Sequence, residues 1–368
     1  MSKLKTWVEI NRKAAEHNAD TIKSLLEPKT KLWAVVKSNA YGHGLKTFSE
    51  IINSKVDGFC VDSVTEGSKL RKNKIKKPIL VLGPTFASSL KLAAEDNLII
   101  TISNWDILKA LAKNKHQPAI HLKIDSGMHR QGFYNSELAA VSRFIKSKKL
   151  DLQGAYTHFA SAKDLNYPTY TENQFAAFQK GLEILKRSGF KNLKRHASAT
   201  GATLINPKYH LDFVRVGIGL YGLWPSKELT IQRPDIKLKP VLSWHTIVSE
   251  VKNLKSGDFV GYDLAERVRK PTKMAILPIG YWHGFPRTLS GIGEVLINGK
   301  MAKVIGRVSM DLIAINADNI RCKAGDRATL IGKQKKEQLF AFDVAQKIGT
   351  IHYELLTRIN PLIERVAI

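Results

Sequence analysis

The sequence predicts an α/β protein, a (β/α)8 TIM-type barrel followed by a predominantly β domain. Short apolar or β-branched runs alternate with amphipathic segments as far as Leu223. A stretch marked by Pro225, Pro234 and Pro240 then interrupts the rhythm, and longer alternating segments follow it. At 368 residues the chain is too long for one ordinary core and suits two domains.

The first eight runs read as strands: Leu32–Lys37, Val56–Val61, Pro78–Leu82, Leu98–Ile102, Ala119–Asp125, Leu152–His158, Lys194–Ser198 and Leu211–Gly217. Apolar on both faces and separated by helical stretches, they point to parallel pairing, and eight such units suit a closed barrel. A doubly wound open sheet satisfies the same strand count. Among the helices, Thr171–Ser188 places Phe175, Phe178, Leu182 and Leu185 on one face, and Thr171 with Gln174 fits a capping box.

The second domain is expected from Val241–Val251, Phe259–Tyr262, Met274–Ile279, Gly293–Ile297, Ala302–Ile315 and Ala328–Ile331, with one short helix at Phe342–Ile348. Asn298-Gly299 predicts a tight hairpin, because both residues tolerate positive φ. These features set expected boundaries of 1–235 for the barrel and 236–368 for the β-rich domain.

Composition excludes several function classes. No apolar run approaches the roughly 18–20 residues that span a bilayer, so no membrane partner is expected. The opening MSKLKTWVEINRK lacks an apolar signal core, and only Cys60 and Cys322 occur, far apart. A cytoplasmic protein without a disulfide framework or metal site is expected. The net charge of +26 would attract nucleic acid, but the lysines are scattered and carry no stacking motif or zinc-finger spacing. They read as solvated helix faces, with no nucleic-acid partner.

In a barrel of this kind, functional groups lie where strands end and loops begin. Lys37, Lys123, Asp125, Arg130, His158, Ser198, Thr200 and Arg215 all occupy such positions. Lys37 ends an apolar strand and is followed by the small-residue loop Ser38-Asn39-Ala40-Tyr41-Gly42-His43-Gly44. A lysine whose surroundings disfavour the ammonium attacks an aldehyde, and pyridoxal phosphate supplies one. Thr200 and the amides of Gly217 and Ile218 suit its phosphate, since loops after the seventh and eighth strands commonly do that work. Arg215 offers only donors, so facing a pyridine nitrogen it would leave that nitrogen without a proton. That weakens the ring as an electron sink and favours reprotonation at carbon.

Together these segments resemble the alanine racemases among the fold-type III pyridoxal-phosphate enzymes, along essentially the whole chain. AVVKSNAYGHG (34–44) is the most specific match. The resemblance implies that Lys37 is the Schiff-base lysine and one acid/base, and that Tyr41 and Tyr353 help hold the cofactor phosphate. Lys123, in HLKIDSGMHRQG, would carry a carbamate that fixes Arg130 against the substrate carboxylate. His158 would stack on the pyridine ring, and Arg215 would partner its nitrogen. In VGYDLAER, Tyr262 would be the second acid/base; Met310 would offer its amide to the substrate, and Tyr281 would line the entrance. The second-domain residues would serve the barrel of another copy, which implies a homodimer with shared sites.

The implied reaction is a two-base interconversion of L- and D-alanine, supplying D-alanine for peptidoglycan. The family's Asn-Ser ahead of the helix after the seventh strand stands here as Ala199-Thr200. Its Gly-Tyr-Ala-Asp-Gly stands as Gly280-Tyr281-Trp282-His283-Gly284, which replaces an entrance carboxylate with His283 and an alanine with Trp282. His129 and Gln131 also depart from the common pattern. Those changes keep a broad-specificity, serine or lysine racemase of the same fold as the alternative.

Overall fold

A computed structural model describes residues 4–368; the first three residues of the amino-terminal stretch read above lie outside them. The chain forms two compact units, one of residues 13–40 and 48–240, the other of the stretch ending at Arg12 together with 41–47 and 241–368.

The larger unit is the expected barrel. Its eight strands are Lys31–Val35, Gly58–Val61, Ile79–Val81, Ile99–Ile102, Ile120–Lys123, Leu152–Tyr156, Lys194–His196 and Phe213–Val216. The first seven pair in parallel, each with the next, and the first also pairs with the eighth through Trp33 and Arg215. A parallel bridge between Ala199 and Arg215 joins the seventh to the eighth. The second, third, fifth and eighth strands are buried along their whole length; the second and third carry no polar residue, whereas the fifth and eighth bury His121, Lys123 and Arg215.

The surrounding helices are set by their caps and apolar stripes. Asn104 accepts the amide of Ile107 at 3.0 Å and starts Trp105–Lys113, which buries Ile107, Leu108 and Leu111. Burying such side chains is worth about 1.5–3 kcal/mol each. The long helix runs Thr169–Arg187 from Pro168, earlier than the capping-box reading placed it. Pro168 already has helical angles, and its carbonyl takes the Glu172 amide. Thr171 therefore lies inside the first turn, while Gln174 is buried and accepts the Ala160 amide at 2.9 Å.

The second unit holds a ten-stranded sheet. Its spatial order is Glu250–Leu254, Thr272–Leu277, Ile313–Asn316, Lys300–Ile305, Glu294–Ile297, Arg327–Gln334, Leu242–Ile247, Thr6–Ile10 and Glu364–Ala367, with Glu337–Leu339 added to Arg327–Gln334. The Asn298-Gly299 hairpin forms as expected, with φ of 52° and 78°. Three readings need correction. Thr6–Ile10 falls within the stretch assigned to the barrel but pairs antiparallel with Leu242–Ile247. Val241–Val251 is two strands, because Val248 and Ser249 turn their amides to Asp326 and Ile276. Ala302–Ile315 is broken at Gly306, whose φ of 67° and close approach to the Val260 carbonyl admit no side chain.

Cys60 and Cys322 are free and buried. Among the described residues no helix is long and apolar enough to cross a membrane. Part of the positive charge is structural: Arg71 donates to the carbonyls of Ile75, Lys77, Asp96 and Asn97 at 2.7–2.9 Å, and Lys77 to those of Asn53 and Val56.

Candidate active site

The barrel rim carries the first cluster. Lys37 lies two residues past the end of the first strand, and the next four residues, Ser38 to Tyr41, all have φ between 52° and 55°. Left-handed backbone costs L-residues roughly 1–2 kcal/mol each, so this turn stores strain immediately after the lysine. The amide of Ala40 reaches back to the Val36 carbonyl at 2.8 Å. Gly42 ends the turn at φ 84°, where a Cβ would lie 2.0 Å from the Leu356 carbonyl oxygen.

Arg215 is buried in the barrel interior, and both of its terminal nitrogens donate to neighbours. One donates to Nδ1 of His196 at 2.6 Å; the other donates to the carbonyls of Thr157 (2.8 Å) and Ala197 (3.0 Å), with Nδ1 of His158 at 3.5 Å. His196 must then carry its proton on Nε2, which lies 2.9 Å from Nδ1 of His121. Burial, followed by the charge of Arg215, holds His196 well below the usual histidine range and His121 down at about 3. The ring of His196 stacks between Tyr156 and Phe213, at 4.6 and 4.0 Å. A donor-only cation therefore sits on a neutral imidazole chain, with its plane fixed.

Lys123 ends the fifth strand almost fully buried, and its ammonium donates to Oε1 of Gln131 at 3.1 Å. Burial, then Arg130 and Arg215, lowers it to about 8, against the opposing pull of Asp125. Asp125 itself is spent on the loop: one carboxylate oxygen accepts the amides of Gly127, Met128 and His129, each at 3.0 Å. That knot delivers Arg130, exposed at the rim. Tyr170 tightens the same loop by donating to the Gly127 carbonyl at 2.7 Å. Burial and the charges of Arg215, Arg130, Lys123 and Lys37 push His158 down to about 3, so its ring is neutral.

Thr200 meets the glycine turn after the eighth strand. Its hydroxyl oxygen accepts the amides of Gly217 (3.2 Å) and Gly219 (3.4 Å), with Ile218 buried between them. The barrel thus brings Lys37, Lys123, Arg130, His158, Thr200, Arg215, Gly217 and Ile218 to its strand ends. Four cations gather there around one carboxylate already occupied by backbone amides. Such a donor set suits an anionic, ring-bearing ligand.

The second unit carries the remaining residues. Tyr41 and Tyr353 face each other with ring centres 6.1 Å apart, and burial raises the Tyr353 phenol well above its ordinary range. Tyr262 is 70% exposed on a short turn entered through Gly261 at φ 72°; the next residue, Asp263, pairs with Arg307 at 2.9 Å. The amides of Tyr281 and Trp282 donate to the carbonyls of Ser309 and Met310 at 3.0 and 3.1 Å, locking two exposed loops together. His283 is turned inward. It is 2% exposed, and its Nδ1 accepts the Gly280 amide at 3.2 Å, closing the turn that presents Tyr281 and Trp282.

Sequence reasoning named the rim residues but missed their supports. His196 and His121 lay within strands already identified, and polar residues inside an otherwise apolar barrel were the available signal. The knot at Asp125 was foreshadowed by Asp-Ser-Gly after a strand, a pattern that favours side-chain capping of backbone amides.

Residues 10–225 match the family model of the alanine racemase N-terminal domain, and residues 241–367 that of the alanine racemase C-terminal domain. The chain is 37% identical over 366 residues to an alanine racemase of Carboxydothermus hydrogenoformans, covering 98% of each. It is 33% identical over 372 residues to one of Leptospira interrogans, covering 99% of this chain and 96% of the relative. Among solved structures, alanine racemase from Bacillus anthracis with bound L-Ala-P superposes with a TM-score of 0.94 at 34% identity, covering 100% of this chain and 96% of the other. The enzyme from a D-cycloserine-producing Streptomyces lavendulae gives 0.91 at 28% identity, covering 100% and 98%.

Proposed function

The chain belongs to the alanine racemase family, and from that membership we propose that it interconverts L- and D-alanine with pyridoxal 5′-phosphate as its cofactor. The observation that carries the reading is the rim cluster: Lys37 beside a left-handed turn, neutral His158, and Lys123, Arg130 and Arg215 close enough to act on one another electrostatically. These residues fit the cofactor. An excess of cations suits a phosphate and a phenolate, and the flat neutral ring of His158 suits stacking. When bound, pyridoxal phosphate supplies an aldehyde for Lys37 and a conjugated ring that spreads the electron pair left at the substrate's Cα.

The chain's own residues do the rest. Lys37 anchors the cofactor and moves a proton at one face of Cα, while Tyr262 of a second subunit moves one at the opposite face. Arg215 can donate a hydrogen bond to the ring nitrogen but cannot hand over its proton easily, which favours return of the proton to carbon. Tyr41, Tyr353, Thr200 and the amides of Gly217 and Ile218 hold the phosphate. Arg130 holds the substrate carboxylate together with the Met310 amide of the second subunit, whose Tyr281 stands at the entrance. A carbamate on Lys123 would convert a cation into an anion beside Arg130 and steady its guanidinium; a half-deprotonated amine near pH 8 suits that capture of carbon dioxide.

A homodimer with shared sites completes the reading, and the exposure of Tyr262, Leu264, Tyr281, Trp282, Met310 and Leu312 supports it. So large an apolar display suits a surface covered by a second copy. A cytoplasmic enzyme supplying D-alanine for peptidoglycan belongs to the same reading. The test is direct: record the visible spectrum of the purified protein, incubate it with L-alanine, L-serine and L-lysine separately, and measure each D-enantiomer. D-alanine as the dominant product supports the proposal. A colourless protein that racemises none of the three refutes it.

A further inference from the structure

We propose that Glu66 is a positioning residue for Lys37, holding the strained turn that follows the lysine; the proposal rests on the reading of Lys37 given above. Glu66 is half-buried in the first turn of helix Val64–Lys72, three residues after the cap Ser63, whose hydroxyl accepts the Glu66 amide at 3.3 Å. A glutamate at that position ordinarily needs one oxygen, turned back to the cap's own amide. Here both oxygens are used elsewhere. Oε2 accepts the Asp62 amide at 2.9 Å, at the end of the second barrel strand, and Oε1 accepts the Asn39 amide at 3.2 Å.

Asn39 is the second of the four left-handed residues. Such backbone persists only where its surroundings over-determine it. The charged acceptor on Asn39 and the bond from Ala40 to Val36 fasten the turn at both middle residues. One carboxylate therefore ties the loop bearing Lys37 to the neighbouring strand, so the start of the lysine side chain is registered against the barrel. Glutamate has the reach for both amides, whereas glutamine keeps only one acceptor oxygen and must turn an amino group towards the other N–H.

The test compares holoenzyme carrying Glu66→Ala, Glu66→Gln or Ser63→Ala with the wild type. Three readouts are taken: hydrogen exchange of peptides covering 37–42, the rate at which bound cofactor is lost on dilution, and kcat and KM separately. Glu66→Ala should exchange roughly 10- to 100-fold faster at Asn39 and Ala40, the factor carried by a hydrogen bond to a charged group. It should also lose cofactor faster and show a lower kcat at nearly constant KM. Glu66→Gln should fall between, and it keeps the test open if the alanine variant fails to fold. Ser63→Ala lowers the melting temperature through the lost cap but leaves all three readouts at wild-type values. The proposal is overturned if exchange at 37–42 is unchanged in both Glu66 variants, or if it rises with cofactor retention and kcat intact. If the wild type carries no cofactor and racemises nothing, the reading of Lys37 falls, while the exchange measurement still decides whether Glu66 holds the turn.

Discussion

Removing the positive charge of Arg215 should raise the Lys123 ammonium by about one pKa unit. The ammonium lies 5.5 Å and the guanidinium carbon 5.0 Å from the centre of the Tyr156 ring, so the two charges are at most about 10.5 Å apart. At an effective dielectric of about 20, unit charges at that distance repel by about 1.5 kcal/mol, or roughly one pKa unit. Arg215→Gln removes the charge and keeps a donor for His196; Arg215→Lys keeps the charge. Trace acetylation of cofactor-free protein across pH 6–11, read by peptide mass spectrometry in carbonate-free buffer, follows Lys123 alone. Wild type and Arg215→Lys should titrate near 8, and Arg215→Gln near 9. Equal midpoints in all three would refute the claim that the rim cations act as one electrostatic unit.

The same depression has a consequence for stability. Between about 8 and the ordinary value of 10.5, the unfolded chain binds a proton at Lys123 that the folded chain does not. Stability therefore rises with pH through that window. The cost is fully present below 8 and amounts to about 3 kcal/mol for this nearly buried side chain. Lys123→Met should remove the slope, which urea melts between pH 7 and 10.5 would detect.

Tyr262→Phe should reduce turnover with L-alanine by roughly 100- to 10,000-fold, the usual worth of a positioned acid/base, while the cofactor's visible band persists; unchanged turnover removes its assigned role. Glu9, held down to about 2 mainly by the ring of His245, whose Nε2 lies 3.2 Å from its Oε2, has a depressed folded pKa, so its contribution is present above about 4.5 and lost as pH falls through 2. Glu9→Gln should cost up to about 3 kcal/mol at pH 6 and progressively less towards pH 2, measured by thermal melts. Gly280→Ala would push a Cβ to 2.2 Å and 2.3 Å from the carbonyl oxygens of Ser309 and Met310. A displaced Met310 loop should raise the KM for alanine with cofactor content unchanged, and an unaltered KM would separate that loop from the substrate.

The barrel strands were legible because parallel strands buried on both faces leave short apolar runs, and Gly58–Val61 and Ile79–Val81 carry no polar residue; the same trace also suits an open sheet. Strand-end logic then located Lys37, Lys123, His158 and Arg215 without geometry. What escaped was long-range. Thr6–Ile10 pairs with residues some 240 positions away, and nothing local distinguishes it from the start of a barrel. The partition of Ala302–Ile315 turned on one glycine whose neighbour, Val260, belongs to another strand. His283 illustrates the same limit at the site. As a replacement for a carboxylate it reads as an entrance residue, yet its ring is turned inward onto the Gly280 amide.

The rim also explains why the net charge of +26 is a poor guide to function. Surface lysines interact through water and are screened beyond about 8–10 Å. Arg71 and Lys77, which look like part of a basic patch, are occupied with backbone carbonyls. Lys123 and Arg215 differ because burial strips that screening, and the perturbation of Lys123 and His158 is its signature. Unrelieved, these charges are a cost to the fold; an anion seated among them lowers that cost and so binds with part of its affinity already stored in the protein. It follows that adding salt should weaken non-specific adsorption of the whole protein far more than it weakens phosphate held at the rim. A bound cofactor lost as readily at 1 M as at 0.1 M salt would fit that separation, and one stripped in parallel with surface-bound polyanions would not.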